Sequence, residues 1–133
     1  TTGLTRYIAV CLLSGYLWLA IGGAMLAIFA PAAGDIGWDT TVHSLMVGFV
    51  FAMVFGHAPI ILPAVLRVRL PYHPGFYVPL ALLHLSLATR VTGDLFESYG
   101  LRAYGALGNA LAIGMFLLLM MTAVIAAQGA KRP

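Results

Sequence analysis

The chain has 133 residues, of which 62% are hydrophobic and 8% are charged, and its formal net charge is +3. This composition excludes an ordinary soluble domain, and the few basic residues lack the clustering with aromatics that nucleic-acid sites use. The single cysteine, Cys11, excludes an intrachain disulfide and provides no CxxC or zinc pattern. Neither a catalytic pair of carboxylates nor a nucleophile with a base is visible, so no hydrolase or transferase signature is present.

Four apolar stretches follow one another along the chain, and a bilayer-crossing helix needs roughly 20 such residues. They cover about residues 5–30, 40–66, 76–96 and 103–127. The first ends at Pro31 without an obvious signal-peptide cleavage site, so we expect it to be retained. Asp39 or Thr40 is expected to cap the start of the second. The sequence therefore predicts an all-α fold, a single integral membrane domain that forms a four-helix transmembrane bundle.

Charged residues divide between the two sides of this bundle. The side that holds both termini and the loop between spans two and three carries Arg6, Arg67, Arg69, Lys131 and Arg132. The other side carries all the acidic residues, with few basic ones: Asp35, Asp39, Asp94 and Glu97 beside Arg90 and Arg102. The positive-inside rule then places both termini in the cytoplasm, and we expect a bacterial inner membrane as the location.

The second span contains two histidines, His43 and His57, fourteen residues apart. In a regular α-helix they share one face and lie roughly 21 Å apart. His57 and His84 reach similar depths if spans two and three are antiparallel. Ionisable side chains inside a bilayer usually mark function, and facing histidines on bundle helices can ligate an iron from both sides. The pattern predicts one b-type haem per chain, with His57 and His84 as axial ligands and His43 as a secondary metal ligand.

Haem also needs a slot and a cation for its carboxylate tails. The small Gly56 and the neighbouring aromatic Phe55 are expected to open and line the slot beside His57. Arg90 follows His84 by about 9 Å along the helix axis, which is a suitable reach for a propionate. The predicted cofactor site therefore comprises His57, His84, Arg90, Gly56 and Phe55.

Some of these histidines also have a purely structural interpretation. His57 can donate a hydrogen bond to a backbone carbonyl that Pro59 or Pro63 leaves without its helical donor. His43 is favoured as a histidine near the membrane surface that is hydrogen-bonded to a carboxylate. His73 lies in the PYHPG loop and is expected to be solvated. These alternatives need no cofactor.

The third span has similar alternatives. His84 can form an interhelical hydrogen bond with Asn109 or Ser14. Arg90 and Asp94 are four residues apart, so they can form a salt bridge within one helix. The methionines are interpreted as packing residues rather than as axial or copper ligands.

The segment VHSLMVGFVFAMVFGHAPIILPAVL resembles the histidine-bearing helices of the NnrS-type haem- and copper-containing membrane proteins, distant relatives of haem–copper oxidase subunit I. The resemblance covers residues 39–97, and those proteins have many more spans, so this chain would be a minimal relative or a partial unit. It implies haem, with copper as a further metal, a nitrogen-oxide or respiratory context, and metal-ligand roles for His43 and His57. The histidine spacing is also similar to that of the di-haem helices of cytochrome b, although span three offers only His84.

Two functions follow for a bis-histidine haem. With both axial positions filled, it would transfer electrons, for example between a quinone and a partner enzyme. With one histidine displaced, its iron would bind nitric oxide or oxygen.

The main alternative is a cofactor-free accessory or assembly subunit of a respiratory complex such as an oxidase or a nitric oxide reductase. Small residues would permit close helix contacts in such a complex or in a homodimer: Gly15, Gly22, Gly105, Gly108 and Gly114. A transporter is a third class, because prolines can break helices around a binding site: Pro59, Pro63 and Pro79.

Overall fold

The structure is a computed structural model that describes residues 2–68 and 72–129. Its elements are α1 (Thr2–Phe29), α2 (Ile36–His43), α3 (Phe51–Leu66), α4 (Tyr77–Leu95) and α5 (Tyr99–Gly129). A π-helical segment, Ser44–Val50, joins α2 to α3, so that these elements form one continuous rod. A short 3₁₀ turn, Pro74–Phe76, precedes α4. The predicted all-α fold is confirmed.

Three helices of the described chain are long and apolar enough to cross a membrane. They are Gly3–Phe29, Ile36–Leu66 and Tyr99–Gly129, with 27, 31 and 31 residues. The fourth, α4, has 19 residues and carries more polar side chains. Three of the four predicted spans therefore have the character of transmembrane helices. Of the basic residues used to orient the bundle, Arg69, Lys131 and Arg132 lie outside the described residues.

The start of the second span differs from its prediction. Asp35 takes the N-cap position and α2 begins at Ile36, four residues before the predicted start. Asp39 and Thr40 lie inside the helix, and their side chains bond to α4 rather than to free backbone N–H groups. The prediction that Asp39 or Thr40 caps this helix was wrong, because both side chains serve contacts between helices.

The helices pack as two pairs that share one core. α1 lies against the π segment and α3, and α4 lies mainly against α5. Phe55 of α3 stacks on Phe116 of α5 with ring centroids 3.9 Å apart, which joins the two pairs. The core consists of Tyr7, Cys11, Phe55, Phe76, Leu80, Leu83, Ala112, Phe116 and Met120.

Glycines set the close approach of α4 to α5. A Cβ on Gly105 would lie 2.6 Å from the backbone nitrogen of Arg90, and one on Gly93 would lie 2.6 Å from that of Arg102. Real Cβ contacts are never this short, so larger residues would push the helices apart. Four of the predicted contact glycines face a neighbouring helix, and one has open space around it: Gly15, Gly22, Gly105 and Gly108, in contrast to Gly114.

The π segment widens the rod where α1 approaches it. Gly48 packs against the side chain of Trp18 and leaves no room for a Cβ, and Ser44 is fully buried. A π-helix has i→i+5 hydrogen bonds and often occurs near functional sites. The positions of His43, before the segment, and His57, after it, therefore do not follow from a regular helical repeat.

Candidate functional site

A polar network joins α2, α4 and α5 at the end of the bundle that carries the acidic residues. Arg90 donates two hydrogen bonds to Asp39, from Nε to Oδ2 at 3.2 Å and from Nη2 to Oδ1 at 3.1 Å. Thr40 donates to Oδ2 of the buried Asp94 at 2.8 Å. Nε of Arg102 lies 3.9 Å from Oδ1 of Asp94, which is an ion pair but too long for a hydrogen bond. The network ties three helices together.

This geometry changes the interpretation of Arg90. The expected salt bridge with Asp94 within α4 is replaced by a bidentate pair with Asp39 on α2. Such a fork is among the stronger ionic contacts in proteins. A haem propionate would have to displace Asp39 in order to bind Arg90. The propionate role of Arg90 therefore stays a prediction, and its guanidinium is occupied by Asp39.

His43 lies beside this network. Its Nδ1 is 2.9 Å from the backbone oxygen of Asp39 and 3.3 Å from the Oδ1 atom of the same residue. Because a carbonyl oxygen only accepts, the neutral ring carries its proton on Nδ1. A histidine paired with a carboxylate near one end of the bundle agrees with the structural alternative for His43.

His84 is engaged by an indole. Nε1 of Trp18 donates to Nδ1 of His84 at 3.0 Å. Since an indole N–H only donates, the neutral His84 ring must carry its proton on Nε2. That Nε2 is buried and has no hydrogen-bond partner among the described residues. A ring in this tautomer offers no lone pair to iron, so axial ligation by His84 requires that the Trp18 bond break.

The hydrogen-bond partners expected for His84 are occupied elsewhere. Oδ1 of Asn109 accepts from Ser86, and Ser14 donates to the backbone of its own helix. The sequence pattern did not indicate Trp18 as a partner of His84. The positions of the two residues along their helices could have indicated this contact, since Trp18 and His84 both lie away from the helix ends.

His57 has the opposite arrangement. Its side chain is exposed, and its Nδ1 lies 2.7 Å from the backbone oxygen of Met53. The proton is therefore on Nδ1, and the Nε2 lone pair is open. Pro59 and Pro63 leave the carbonyls of Phe55 and Pro59 without helical donors, and His57 bonds to neither of them. The structural interpretation of His57 therefore had the wrong hydrogen-bond partner. An outward groove of about 400 Å³ surrounds the ring, lined by Met53, Val54, His57, Ala58, Ile61 and Leu62.

The predicted slot residues face inward. A Cβ on Gly56 would lie 2.9 Å from the Cβ atom of Cys11, so this glycine admits α1. Phe55 is 1% exposed and stacks on Phe116. A haem on His57 would therefore lie against the outer groove, and Gly56 and Phe55 would support α3 from behind.

The remaining metal assignments can be placed as well. His73 is exposed and accepts a hydrogen bond from the backbone N–H of Gly75 at 2.9 Å, as expected for a loop histidine. Within residues 2–68 and 72–129, no group of three or more His, Cys, Asp or Glu is arranged to hold a metal ion. The pairing of His57 with His84 on one iron stays a prediction, with the two rings in different surroundings.

An all-α bundle with three apolar helices long enough to cross a bilayer has the architecture of an integral membrane protein. The chain belongs to the family described as Domain of unknown function (DUF8744), whose model matches residues 1–125. No curated protein and no solved structure matches the chain. The family match names no NnrS-type protein, so that resemblance stays a prediction.

Proposed function

We propose that the protein is a membrane-embedded b-type haem subunit that binds iron through His57 on the outer face of α3. The observation that carries this proposal is the open Nε2 lone pair of His57 on an apolar, exposed helix surface. A polar atom that faces hydrocarbon without a partner is costly, so such a surface favours an occupant.

The hydrogen bond behind His57 supports metal ligation. Histidines that bind metals usually donate their second ring N–H to a carbonyl or carboxylate, which fixes the tautomer and the ring orientation. The Met53 carbonyl provides this partner at 2.7 Å. His57 would hold the iron, the Met53 carbonyl would orient the ring, and apolar residues such as Val54 and Ile61 would exclude water. The bound haem would supply either electron transfer or binding of nitric oxide or oxygen.

The second axial position of the iron can be filled in more than one way. His84 fits it only after loss of the Trp18 bond, and His43 lies beyond the π segment at the acidic end of the bundle. A ligand from a second subunit, or a vacant position that admits a small gas, fits the outward direction of His57 better. A homodimer or a larger respiratory complex with a quinone therefore belongs to the same proposal.

The same proposal includes four membrane crossings with both termini in the cytoplasm. Both ends of α4 contact the ends of longer helices, through Asp94 and Thr40 at one end and through Phe76 and Tyr7 at the other. Because both ends of α4 lie level with the ends of helices that cross the membrane, α4 spans the same thickness of the bilayer. Reporters placed near Gly34 and after the last residue test the orientation, which is overturned if the Gly34 reporter is active only in the cytoplasm.

The test is an absorption spectrum of the purified full-length protein, oxidised and then reduced, from haem-replete cells. We expect a b-type spectrum that is lost in His57→Leu and kept in His84→Leu and His43→Leu. Copper is measured by metal analysis of the same samples. Loss of haem in His84→Leu with retention in His57→Leu would overturn the assignment to His57.

A cofactor-free accessory subunit of a respiratory complex is the second candidate. Two pairs of polar side chains favour it, because Trp18 bonds to His84 and Arg90 bonds to Asp39 between helices. Polar pairs of this kind hold membrane helices together without any ligand. A colourless preparation whose His57→Leu variant fails to assemble with its partner complex would establish this function in place of the first.

A further inference from the structure

A second candidate site lies at the acidic end of the bundle, where α5 begins. A cleft of about 270 Å³ opens there, lined by Asp39, Arg90, Tyr99, Arg102, Ala103 and Ala106. Ligand pockets for drug-sized molecules start near roughly 300 Å³, so this cleft suits a smaller group. It is separate from the His57 groove, and its use does not depend on haem.

Arg102 is the unsatisfied member of this cleft. Its guanidinium makes no hydrogen bond within the part of the chain that the structure describes, and its Nε is buried. Asp94, its nearest carboxylate, is 2% exposed, and its Oδ1 likewise has no hydrogen-bond partner among the described residues. A guanidinium has five N–H donors, and buried donors without acceptors are rare. The Nε atom faces Asp94, and the rest of the guanidinium belongs to a side chain that is 33% exposed, so its N–H groups can meet acceptors from outside the chain.

The surroundings of the cleft place it at the level of lipid headgroups. Several aromatic side chains are exposed at this end of the bundle: Trp38, Phe96, Tyr99 and Tyr104. Trp and Tyr concentrate at membrane–water interfaces, where an apolar ring meets polar headgroups. At that depth the phosphate groups of lipids are within reach of Arg102.

Charge then selects the kind of lipid. The network holds two carboxylates and two guanidinium groups, Asp39 and Asp94 with Arg90 and Arg102, so its charges cancel. A purely anionic headgroup gains little from a neutral network. A zwitterion gains from both signs, because Arg102 offers donors and the Asp39 side chain, 32% exposed, retains acceptor capacity beside Arg90.

We propose that this cleft binds the headgroup of phosphatidylethanolamine, with the phosphate on Arg102 and the ammonium on Asp39. Phosphatidylcholine carries the same phosphate, but its quaternary ammonium has no N–H to donate to Asp39. Phosphatidylglycerol lacks the cation altogether. The cleft therefore distinguishes these three phospholipids by hydrogen bonding rather than by net charge.

The experiment measures lipid retention. The full chain is reconstituted in nanodiscs that contain equal amounts of the three phospholipids, extracted in mild detergent, and analysed for bound lipid by native mass spectrometry. We expect selective retention of phosphatidylethanolamine, reduced about tenfold in Arg102→Gln, because a charge-assisted hydrogen bond is lost. Arg6→Gln, at the opposite end of the bundle, serves as the matched control and should retain the lipid.

Each other outcome overturns the proposal. Equal retention of all three phospholipids by the native chain would show that the cleft does not select a headgroup. Unchanged retention in Arg102→Gln would place bound lipid elsewhere. Displacement of the retained lipid by added inorganic phosphate alone would identify a free-phosphate site. Unfolding of Arg102→Gln is checked by its melting temperature, and Arg102→Lys, which keeps the charge, should retain an intermediate amount of phosphatidylethanolamine.

Discussion

Polar groups on α4 and the polar group on the outer face of α3 are used in opposite ways. On α4, His84 accepts from Trp18, Ser86 pairs with Asn109, and Arg90 reaches Asp39. On the outer face of α3, His57 uses one ring nitrogen on its own backbone and leaves the other open. The inner polar groups hold helices together, whereas the outer one is available to something outside the chain.

The residues that stabilise the fold and the residue that is available for binding therefore lie in different regions of the protein. Substitutions along α4 should change the free energy of unfolding, and substitution of His57 should change what the protein binds. Four variants test the contrast, in order of decreasing effect on stability.

Gly105→Ala should have the largest effect. Its new Cβ would meet the Arg90 backbone at 2.6 Å, and overpacking of a tight contact costs about 1–3 kcal/mol. We expect the upper end, about 3 kcal/mol, since backbone cannot move aside as a side chain can. Gly114→Ala is the matched control, because nothing lies within 4 Å of its Cβ. Thermal unfolding in detergent, followed by circular dichroism, measures both, and equal shifts would contradict the close-packed interface.

Arg90→Leu should destabilise the protein by about 2 kcal/mol, less than for a fully buried pair because this one is partly exposed. The change leaves the Asp39 carboxylate without its bidentate partner. The double variant Asp39→Leu with Arg90→Leu should recover part of the loss. Arg102→Leu should cost less in the same detergent assay, since Arg102 makes no hydrogen bond to the described residues. A larger loss for Arg102→Leu would reverse the ranking of the two arginines.

Trp18→Phe should cost about 1 kcal/mol, because Nδ1 of His84 would remain without its donor. Removal of both partners, in Trp18→Phe with His84→Leu, should be milder than the sum of the single changes. Chemical denaturation measures the three variants. Strict additivity would indicate that the indole and the imidazole do not interact.

In the haem-free protein, His57→Leu should leave the free energy of unfolding within about 0.5 kcal/mol of the native value, as is usual for an exposed side chain away from structural features. The same variant should lose the haem spectrum. A strong loss of stability in apo protein would instead make His57 a structural residue and would remove the contrast between the two regions.

The sequence predicts the helices well because their boundaries follow from apolar runs and breakers. The end of α3 at Leu66 lies where the RVRLPYHPG stretch begins, as expected. The break after α1 near Pro31 is also where the pattern places it. Helix existence in a membrane depends on length and hydropathy, and both can be read along the chain.

The polar contacts could not be predicted in the same way, because hydropathy does not show which side of a membrane helix faces its neighbours. Cys11 is fully buried and Leu13 is 71% exposed, although both are apolar residues of the same helix. Lipid and protein interior are equally apolar, so composition does not distinguish the two faces. The pairing of Trp18 with His84 therefore required a structure, and so did the outward direction of His57.

The π segment Ser44–Val50 also determines the rotational phase of the rod. Each i→i+5 turn takes up one residue more than an α-turn, and one residue corresponds to about 100° of rotation. The fourteen-residue interval between His43 and His57 consequently no longer returns to the same face. A deletion of one residue within 44–50 that made the segment α-helical would remove the residue that the π turn takes up, so His57 would still face its groove, whereas a deletion within 51–56 would turn His57 by about 100°. The direction of this imidazole thus depends on where the chain length changes, because the π segment can absorb the loss of one residue and the α-helix that follows it cannot.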